Sequence, residues 1–349
     1  MNRKTICALV EQGEVVSQAD LANEDLSGAN LSGGIFEGVN FDGAVLREAS
    51  FLDSVLVKCR FSKGDLHGVD FRKVNLHECD LSNCDLSASK LEKARLSCSN
   101  LSDADFNSAD LHMVTFAKCD LKRTGFQTTR MVRTLFVESE MSANDFSGTE
   151  LQRTVLLKAD LTSANLDGCR FDTVIFIEAN LSELNLKGKH FPTCQFTDAD
   201  LSQCNLSGAE LDQCNFKGAN LQGARLDHCI ANNALFVESN LQEAVASDGN
   251  FFQSIFIGAD LTGADFSGAN MQQCTLTNAA CATANFSRTD LTYADFSHAD
   301  LTSANLSGAI LFRANLHGIK DPGALIDDRQ SALGVDKDLL EAENWQASY

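Results

Sequence analysis

Proline is scarce in this chain, with 2 in 349 residues, and there is only 1 tryptophan. Because proline cannot donate a backbone hydrogen bond, its scarcity fits a fold made of continuous hydrogen-bonded coils. No run of 18 apolar residues occurs, so no membrane-spanning helix is predicted. The apolar stretch from Ile6 to Val10 is too short for a signal peptide and is followed at once by Glu11, so we expect a cytoplasmic protein.

Motifs for metal, phosphate or acid–base chemistry are missing as well. The 13 cysteines include no CxxC pair, and glycines such as Gly28 and Gly148 occur singly, as corner residues, rather than in a phosphate-binding loop. Carboxylate pairs such as Asp80 and Asp85 recur along the chain and are by-products of a repeated motif. We therefore predict a protein that is not an enzyme and that has no catalytic, cofactor or metal site.

What the chain has instead is a strict period of five residues. From Leu21 to Leu316 every fifth residue is Leu, Phe or Met, except at Ala231, Ala246 and Cys281. The residue two places before each of these is small, with the exceptions of Glu24, Asn144, Leu184 and Lys189. In extended backbone these two positions point to the same side and the other three point away. In a helix of 3.6 residues per turn, a period of five would distribute the apolar residues over all faces, so a repetitive β structure is predicted.

The pentad, seen in Ala104-Asp105-Phe106-Asn107-Ser108, resembles the pentapeptide-repeat family over residues 17–318. The resemblance implies an all-β fold, a right-handed four-sided parallel β-helix (solenoid) in which four pentads make one coil. The chain would then form about 15 coils with large side chains along the axis. At about 4.8 Å per coil the rod would be roughly 70 Å long.

Both ends leave the repeat and are expected to be caps, residues 1–16 at the N-terminus and residues 319–349 at the C-terminus. Residues 3–12 are predicted to form a short helix that Gly13 stops. A turn at Asp321-Pro322-Gly323 precedes a second short helix from Asp336 to Trp345, whose Leu339, Leu340 and Trp345 could cover the last coil. The alternative is that this tail is a mobile tether.

The register also places the cysteines and histidines. Ten cysteines fall at the small inward position and Cys281 at a central one, so we interpret them as core fillers. Cys98 is predicted to point outward and Cys7 lies in the cap, which makes these two the candidates for reactive thiols. All seven histidines fall at outward positions, scattered over faces and coils. A filled solenoid has no cleft, which again argues against catalysis.

One face carries apolar residues where the motif calls for polar ones. Residues 20 apart stack on one face, and we predict two interaction patches there, the first formed by Leu135, Val137, Val155, Leu157, Ile175 and Ile177, the second by Leu235, Val237, Ile255 and Ile257. Ile35, Val55 and Val57 add a smaller patch near the start. Exposed apolar patches of this extent mark interfaces, so we expect a protein partner or a lateral homodimer here. The alternative is that β-branched residues merely favour the sheet surface.

A column of alternating charge, Lys118, Glu138, Lys158 and Glu178, runs beside the first patch. The chain as a whole is acidic, with a net charge of −20 and a pI of about 4.6. The faces through Leu21 and Leu26 are rich in Asp. The face through Leu31 is basic in its middle, where it carries Arg72, Lys73, Lys90, Lys93, Arg130, Arg133, Arg153 and Arg170.

The resemblance permits three functions for such a surface. The first is a non-enzymatic interaction scaffold or adaptor acting through the apolar face, without direct nucleic-acid binding. The second is an acidic DNA mimic that binds a type II topoisomerase such as gyrase and gives quinolone resistance. Duplex DNA carries roughly 40 charges over 70 Å, twice what this chain offers, and no loop interrupts the pentads from Leu21 to Leu316. The third, suggested by the opening Ala8 to Glu14, is a type VI secretion accessory protein.

One coil departs from the motif. Lys189 occupies a small inward position, and His190 and Pro192 flank the central Phe191. We expect that the coil bulges there or that Lys189 turns outward. The irregularity is interpreted as local strain. The alternative is a protrusion that a partner recognises.

Overall fold

A computed structural model describes residues 1–345. Helix α1 spans Arg3–Glu11. Eleven three-residue strands follow: β1 Val15–Ser17, β2 Ile35–Glu37, β3 Val55–Val57, β4 Asn75–His77, β5 Arg95–Ser97, β6 Thr115–Ala117, β7 Arg130–Val132, β8 Leu135–Val137, β9 Glu150–Gln152, β10 Val155–Leu157 and β11 Arg170–Asp172. A 3₁₀ turn at Arg329–Ser331 and helix α2 at Lys337–Glu343 come last. The chain divides into two compact units, which meet in sequence between Asn180 and Leu181.

The first unit is a parallel stack in strict register. Its main sheet has eight strands in the order β1-β2-β3-β4-β5-β6-β8-β10, and β11-β9-β7 form a second, three-stranded sheet. Each strand pairs with the residues 20 positions away, as Val15 does with Ile35. In the second unit, isolated parallel bridges such as Asn205 to Arg225 keep the same spacing.

The backbone explains why the period is five. The central residue donates its N–H to the next coil, as Leu226 does to the Val245 carbonyl at 2.6 Å, and the residue before it donates to the previous coil. Two residues further on the chain turns a corner with positive φ, +57° at Asp53 and +65° at Gly68. This left-handed conformation costs a residue with a Cβ about 1 kcal/mol or more. The corner N–H of Asp53 gains a bond to the Arg72 carbonyl at 3.0 Å, which offsets part of that cost.

In each unit the core is a column of central side chains, and nearly all of them are fully buried. Phe196, Phe216, Phe236 and Phe256 stack face to face on successive coils, with ring centroids 4.9, 4.9 and 4.7 Å apart. The small position leaves space for the backbone and for short hydrogen bonds, such as that from Cys84 Sγ to the Phe61 carbonyl at 2.9 Å. The all-β parallel solenoid with short terminal helices is thereby confirmed.

The predicted number of coils is not confirmed. The larger sheet contains eight strands, one from each of eight coils, whereas about 15 coils were expected. The physical reason is that much of the chain pairs through single-residue bridges, because only one residue per pentad is well placed to pair with both neighbouring coils.

The two ends are closed in different ways. Asn2 caps α1 by accepting from the Thr5 N–H at 3.1 Å, and Ile6 of α1 is fully buried. At the other end, Leu339, Leu340 and Trp345 are 46%, 40% and 74% exposed, so the expectation that these three cover the last coil is wrong. Polar contacts of the tail with the coil take their place. The last four residues of the predicted 319–349 segment lie outside the described residues.

Candidate interaction surfaces

The first apolar patch lies on β8, on β10 and on the chain just after them. Leu135 is directly opposite Val155, and Val137 is opposite Leu157. Val155 also bridges to Ile175, so three successive coils contribute. Leu135 is 36% exposed and the other five side chains are half-buried. Stacked neighbours on adjacent strands shield one another, so the patch has a continuous apolar surface.

The second apolar patch belongs to the second unit. Leu235 bridges to Ile255, and the positions above and below them in the column are the polar Asn215 and Thr275. Leu235 and Ile257 are exposed, while Val237 and Ile255 are half-buried. The patch is therefore two coils high and is bounded by polar side chains at both ends.

Sequence reasoning missed several exposed apolar side chains, and two groups of them form contacts of their own. Val15 pairs with Ile35 and continues the smaller patch of Ile35 and Val55, all three exposed. Its spacing of 20 from Ile35 was the signal, although Val15 precedes the region assigned to the repeat. Near the C-terminus the exposed rings of Tyr293 and Phe312 meet edge to face with centroids 5.8 Å apart. The five-residue pattern does not predict that these two rings meet, because they are 19 residues apart and neither lies at a central position.

The charged column beside the first patch forms two separate ion pairs. Lys118 Nζ lies 3.7 Å from Glu138 Oε2, and Lys158 Nζ lies 3.4 Å from Glu178 Oε2. All four side chains are well exposed, so each pair contributes at most about 1 kcal/mol to stability. Their effect is to border the patch with alternating charge, which favours a partner of matching pattern.

Many carboxylates of the acidic faces hold turns of the coil. Asp25 Oδ1 accepts from the Ser27 hydroxyl at 2.6 Å and from the Ser27 N–H at 2.9 Å, and these bonds lower the pKa of Asp25. Lys320, 2.8 Å away, together with Thr302 lowers the pKa of Asp300 to about 2. These carboxylates thus stabilise turns of the coil and also contribute negative charge to the outer faces.

The basic face in the first unit is partly neutralised by its own neighbours. Arg72 binds Asp70 through two hydrogen bonds of 2.8 and 2.6 Å, and Arg170 Nη1 lies 3.0 Å from Glu150 Oε1. The Arg72 guanidinium lowers the pKa of Asp70. The face is therefore a mixed surface rather than a uniformly basic one.

The structure separates the cysteines into two groups. Cys98 is exposed and Cys7 is half-buried, whereas ten of the other eleven are buried and Cys169 is half-buried. Burial raises the pKa of Cys84, Cys204 and Cys274 to about 12 and that of Cys119 to about 11. A thiol with so high a pKa is almost entirely protonated at neutral pH and reacts slowly.

The histidines depart from the sequence prediction at the C-terminal end. His317 was expected to point outward and stay apart from the others, but it is only 1% exposed and its ring meets that of His298 edge to face, with centroids 5.3 Å apart. The prediction failed because the tail folds back over this position, and the tail has no repeat from which its path could be inferred.

The irregular coil keeps its register with the coil that follows. His190 bridges to Glu210, and the central Phe191 is fully buried and donates its N–H to the Glu210 carbonyl at 2.9 Å. The expected bulge is therefore not found on this side. Lys189 is half-buried, and His190 Nδ1 lies 2.6 Å from Glu210 Oε2.

No helix within residues 1–345 is both long enough and apolar enough to cross a membrane.

Comparison with known proteins supplies a family likeness. The model of pentapeptide repeats matches in eight copies, at residues 25–62, 49–87, 84–123, 156–191, 194–230, 219–256, 250–280 and 281–318. Together these copies cover well over half of the chain. No curated protein matches significantly.

Several solved structures are similar. HetL, a pentapeptide repeat protein involved in heterocyst differentiation regulation from the cyanobacterium Nostoc sp. strain PCC 7120, is 23% identical, with 75% of this chain and 87% of that chain covered and a TM-score of 0.23. A pentapeptide repeat protein from the Arabidopsis thaliana thylakoid lumen is 20% identical, with 33% and 81% covered and a TM-score of 0.29. Full-length QnrB1, a plasmid-mediated fluoroquinolone resistance protein, is 17% identical, with 73% and 95% covered and a TM-score of 0.22.

Proposed function

This chain belongs to the pentapeptide-repeat family, and we propose that it is a non-enzymatic scaffold that binds a protein partner through the first apolar patch. The observation that carries the proposal is the in-register stack of six outward apolar side chains on three successive coils, from Leu135 to Ile177. Every such position in a solenoid is free to be polar, so an unbroken apolar stack is unexpected unless something covers it.

The surroundings of the patch support a partner that is a folded protein. The ion pairs Lys118–Glu138 and Lys158–Glu178 border it with both signs of charge. An interface with an apolar centre and a charged rim has the usual anatomy of protein–protein recognition. A nucleic acid would require a uniformly basic surface, and the chain carries a net charge of −20.

The experiment is a pull-down from lysate of the source cells with the intact chain and with the double variant Leu157→Glu, Ile177→Glu. The partner is expected to be retained by the intact chain and lost by the double variant. A matched control is His77→Glu, Ser97→Glu, which adds the same charge on two stacked coils at the position just after the central residue, outside both patches. Equal recovery by all three proteins would contradict the proposal.

A second candidate is favoured by the acidic faces: an acidic mimic of DNA that binds a type II topoisomerase. The carboxylates that hold turns, such as those of Asp25 and Asp300, still carry their negative charge at neutral pH. The test is the supercoiling activity of purified gyrase with increasing amounts of this chain. Inhibition that DNA relieves would support mimicry, and unchanged supercoiling at a large molar excess would exclude it.

A further inference from the structure

A cluster of nitrogen and oxygen atoms joins the C-terminal helix α2 to the last coil. His298 Nε2 lies 3.1 Å from Glu343 Oε1, and His317 Nε2 lies 3.1 Å from Glu343 Oε2. The ligand atoms of these three side chains all lie within 4.8 Å of one another. His317 is almost completely buried, so its ring is held in place by the surrounding protein.

This geometry is close to that of a metal site. Zinc bonds of about 2.0–2.1 Å to nitrogen and oxygen place neighbouring ligands of a tetrahedral ion about 3.3 Å apart. The two observed nitrogen–oxygen distances differ from that value by a few tenths of an ångström, and the other pairs of ligand atoms, which lie within 4.8 Å of one another, must close towards it by rotation of the side chains. Two imidazoles and one carboxylate form a ligand set that suits Zn²⁺ and the neighbouring divalent transition metals.

We propose that His298, His317 and Glu343 form a binding site for a divalent transition-metal ion such as Zn²⁺, which fastens α2 to the last coil. Three protein ligands leave one position of a tetrahedral ion open to water or to a group from a partner. The fastening replaces the apolar contacts that the exposed Leu339 and Leu340 do not make.

Without an ion, hydrogen bonds hold the same side chains together. The N–H of Asp336 donates to His317 Nδ1 at 3.1 Å, so the neutral ring carries its proton on Nε2 and donates it to Glu343. A metal ion on Nε2 requires that proton to move to Nδ1. Two N–H groups cannot face each other, so the Asp336 amide must then move away from the ring. Metal binding at this site therefore has its own signature, a change of the His317 tautomer together with a shift of the Asp336 amide.

The experiment uses the full chain carrying Cys98→Ser, which removes the exposed thiol as a competing ligand. The protein is freed of metal with a chelator, and ZnCl₂ is added at pH 7.5 in a calorimeter. One ion per chain is expected to bind, with a rise in Tm and the His317 and Asp336 signature in NMR spectra. His298→Ala and Glu343→Gln should each weaken binding by about 100-fold or more, because each removes one of three ligands and loss of a group that only supports a ligand already costs up to about 100-fold.

The matched control is His190→Ala, which removes an exposed histidine that also faces a carboxylate but has no second histidine beside it. It should bind zinc as the parent does. Zinc binding that His298→Ala and Glu343→Gln leave unchanged would overturn the proposal, as would the absence of binding at millimolar zinc. Both variants change exposed side chains, and a far-ultraviolet circular dichroism spectrum like that of the parent will show that each is folded.

Discussion

At the scale of single residues, the position within the pentad decides the chemistry of a side chain. The cysteines illustrate this: Cys84, Cys204 and Cys274 replace Ala or Ser at the small position, and burial raises the pKa of each to about 12. At pH 8 roughly one such thiol in ten thousand is ionised, by the ordinary titration relation. Cys98 occupies a corner of the coil and is exposed.

We therefore predict that iodoacetamide at pH 8 modifies Cys98 first and Cys7 next in the folded protein, while the buried thiols react only after unfolding. Peptide mass spectrometry of samples quenched with and without denaturant measures this directly. Cys98→Ser should remove the fastest reaction. Rapid modification of Cys84 or Cys274 in the folded protein would show that the core opens far more readily than its packing implies.

The stacked phenylalanines lead to a second prediction at this scale. Phe216 is fully buried between Phe196 and Phe236, at 4.9 Å from each ring. Phe216→Ala should lower the free energy of unfolding by about 3–5 kcal/mol, because it leaves a cavity in a column that cannot collapse around it. Urea unfolding followed by circular dichroism is the measurement. The exposed Gln222→Ala is the control and should change stability by less than about 0.5 kcal/mol.

At the scale of the coil, the repeated unit holds itself together partly through carboxylates. Asp25 accepts two hydrogen bonds from Ser27, Asp103 pairs with Arg123, and Asp300 binds Lys320 and Thr302, and the pKa of each is lowered. A carboxyl group whose pKa is lower in the folded state stabilises that state fully above its unfolded pKa of about 3.9. That stabilisation is lost as the pH falls through the folded value, which for Asp300 is about 2.

We therefore expect the urea midpoint to fall steeply between about pH 4 and pH 2. Between pH 7 and the pI of about 4.6 it should change little or rise, because the net charge of −20 and its self-repulsion diminish. The variant Asp300→Asn should reduce the slope at low pH, and the thermal midpoint at each pH provides an independent reading. A midpoint that does not change from pH 5 to pH 2 would mean that the carboxylates hold no turns.

The coil is also the scale at which the sequence was most informative. The period of five, with a small residue two places before each Leu or Phe, was sufficient to predict the fold class, the 20-residue register and the burial of Cys59 and Cys79. Outside the repeat, the five-residue period gives no prediction of which residues are in contact. The contact of Glu343 with His298 and His317 joins residues 45 and 26 positions apart, and no periodicity relates them.

At the scale of the molecule, the register predicted which surface residues would share a face, but it could not predict how far each would protrude. Leu135 and Val155 are stacked as expected, yet Leu135 is exposed and Val155 is half-buried. Exposure depends on the neighbours in the coils above and below, and the partner of a surface depends on shape and charge that no pentad encodes. The register thus places the residues of the first patch on one face. The protein that covers this patch is a proposal.

The last prediction concerns what covers that patch when no other protein is present. Two copies of the chain could join through the first patch of each, since a two-fold axis brings the same surface of both copies together. Multi-angle light scattering across micromolar concentrations should then give a mass rising from 37.8 kDa towards twice that value. Leu157→Glu, Ile177→Glu should keep the mass at the lower value, because two glutamates on each copy would be buried against each other. The His77→Glu, Ser97→Glu control should behave as the parent. A constant monomer mass for all three proteins would exclude the homodimer and leave a different protein as the occupant of the patch.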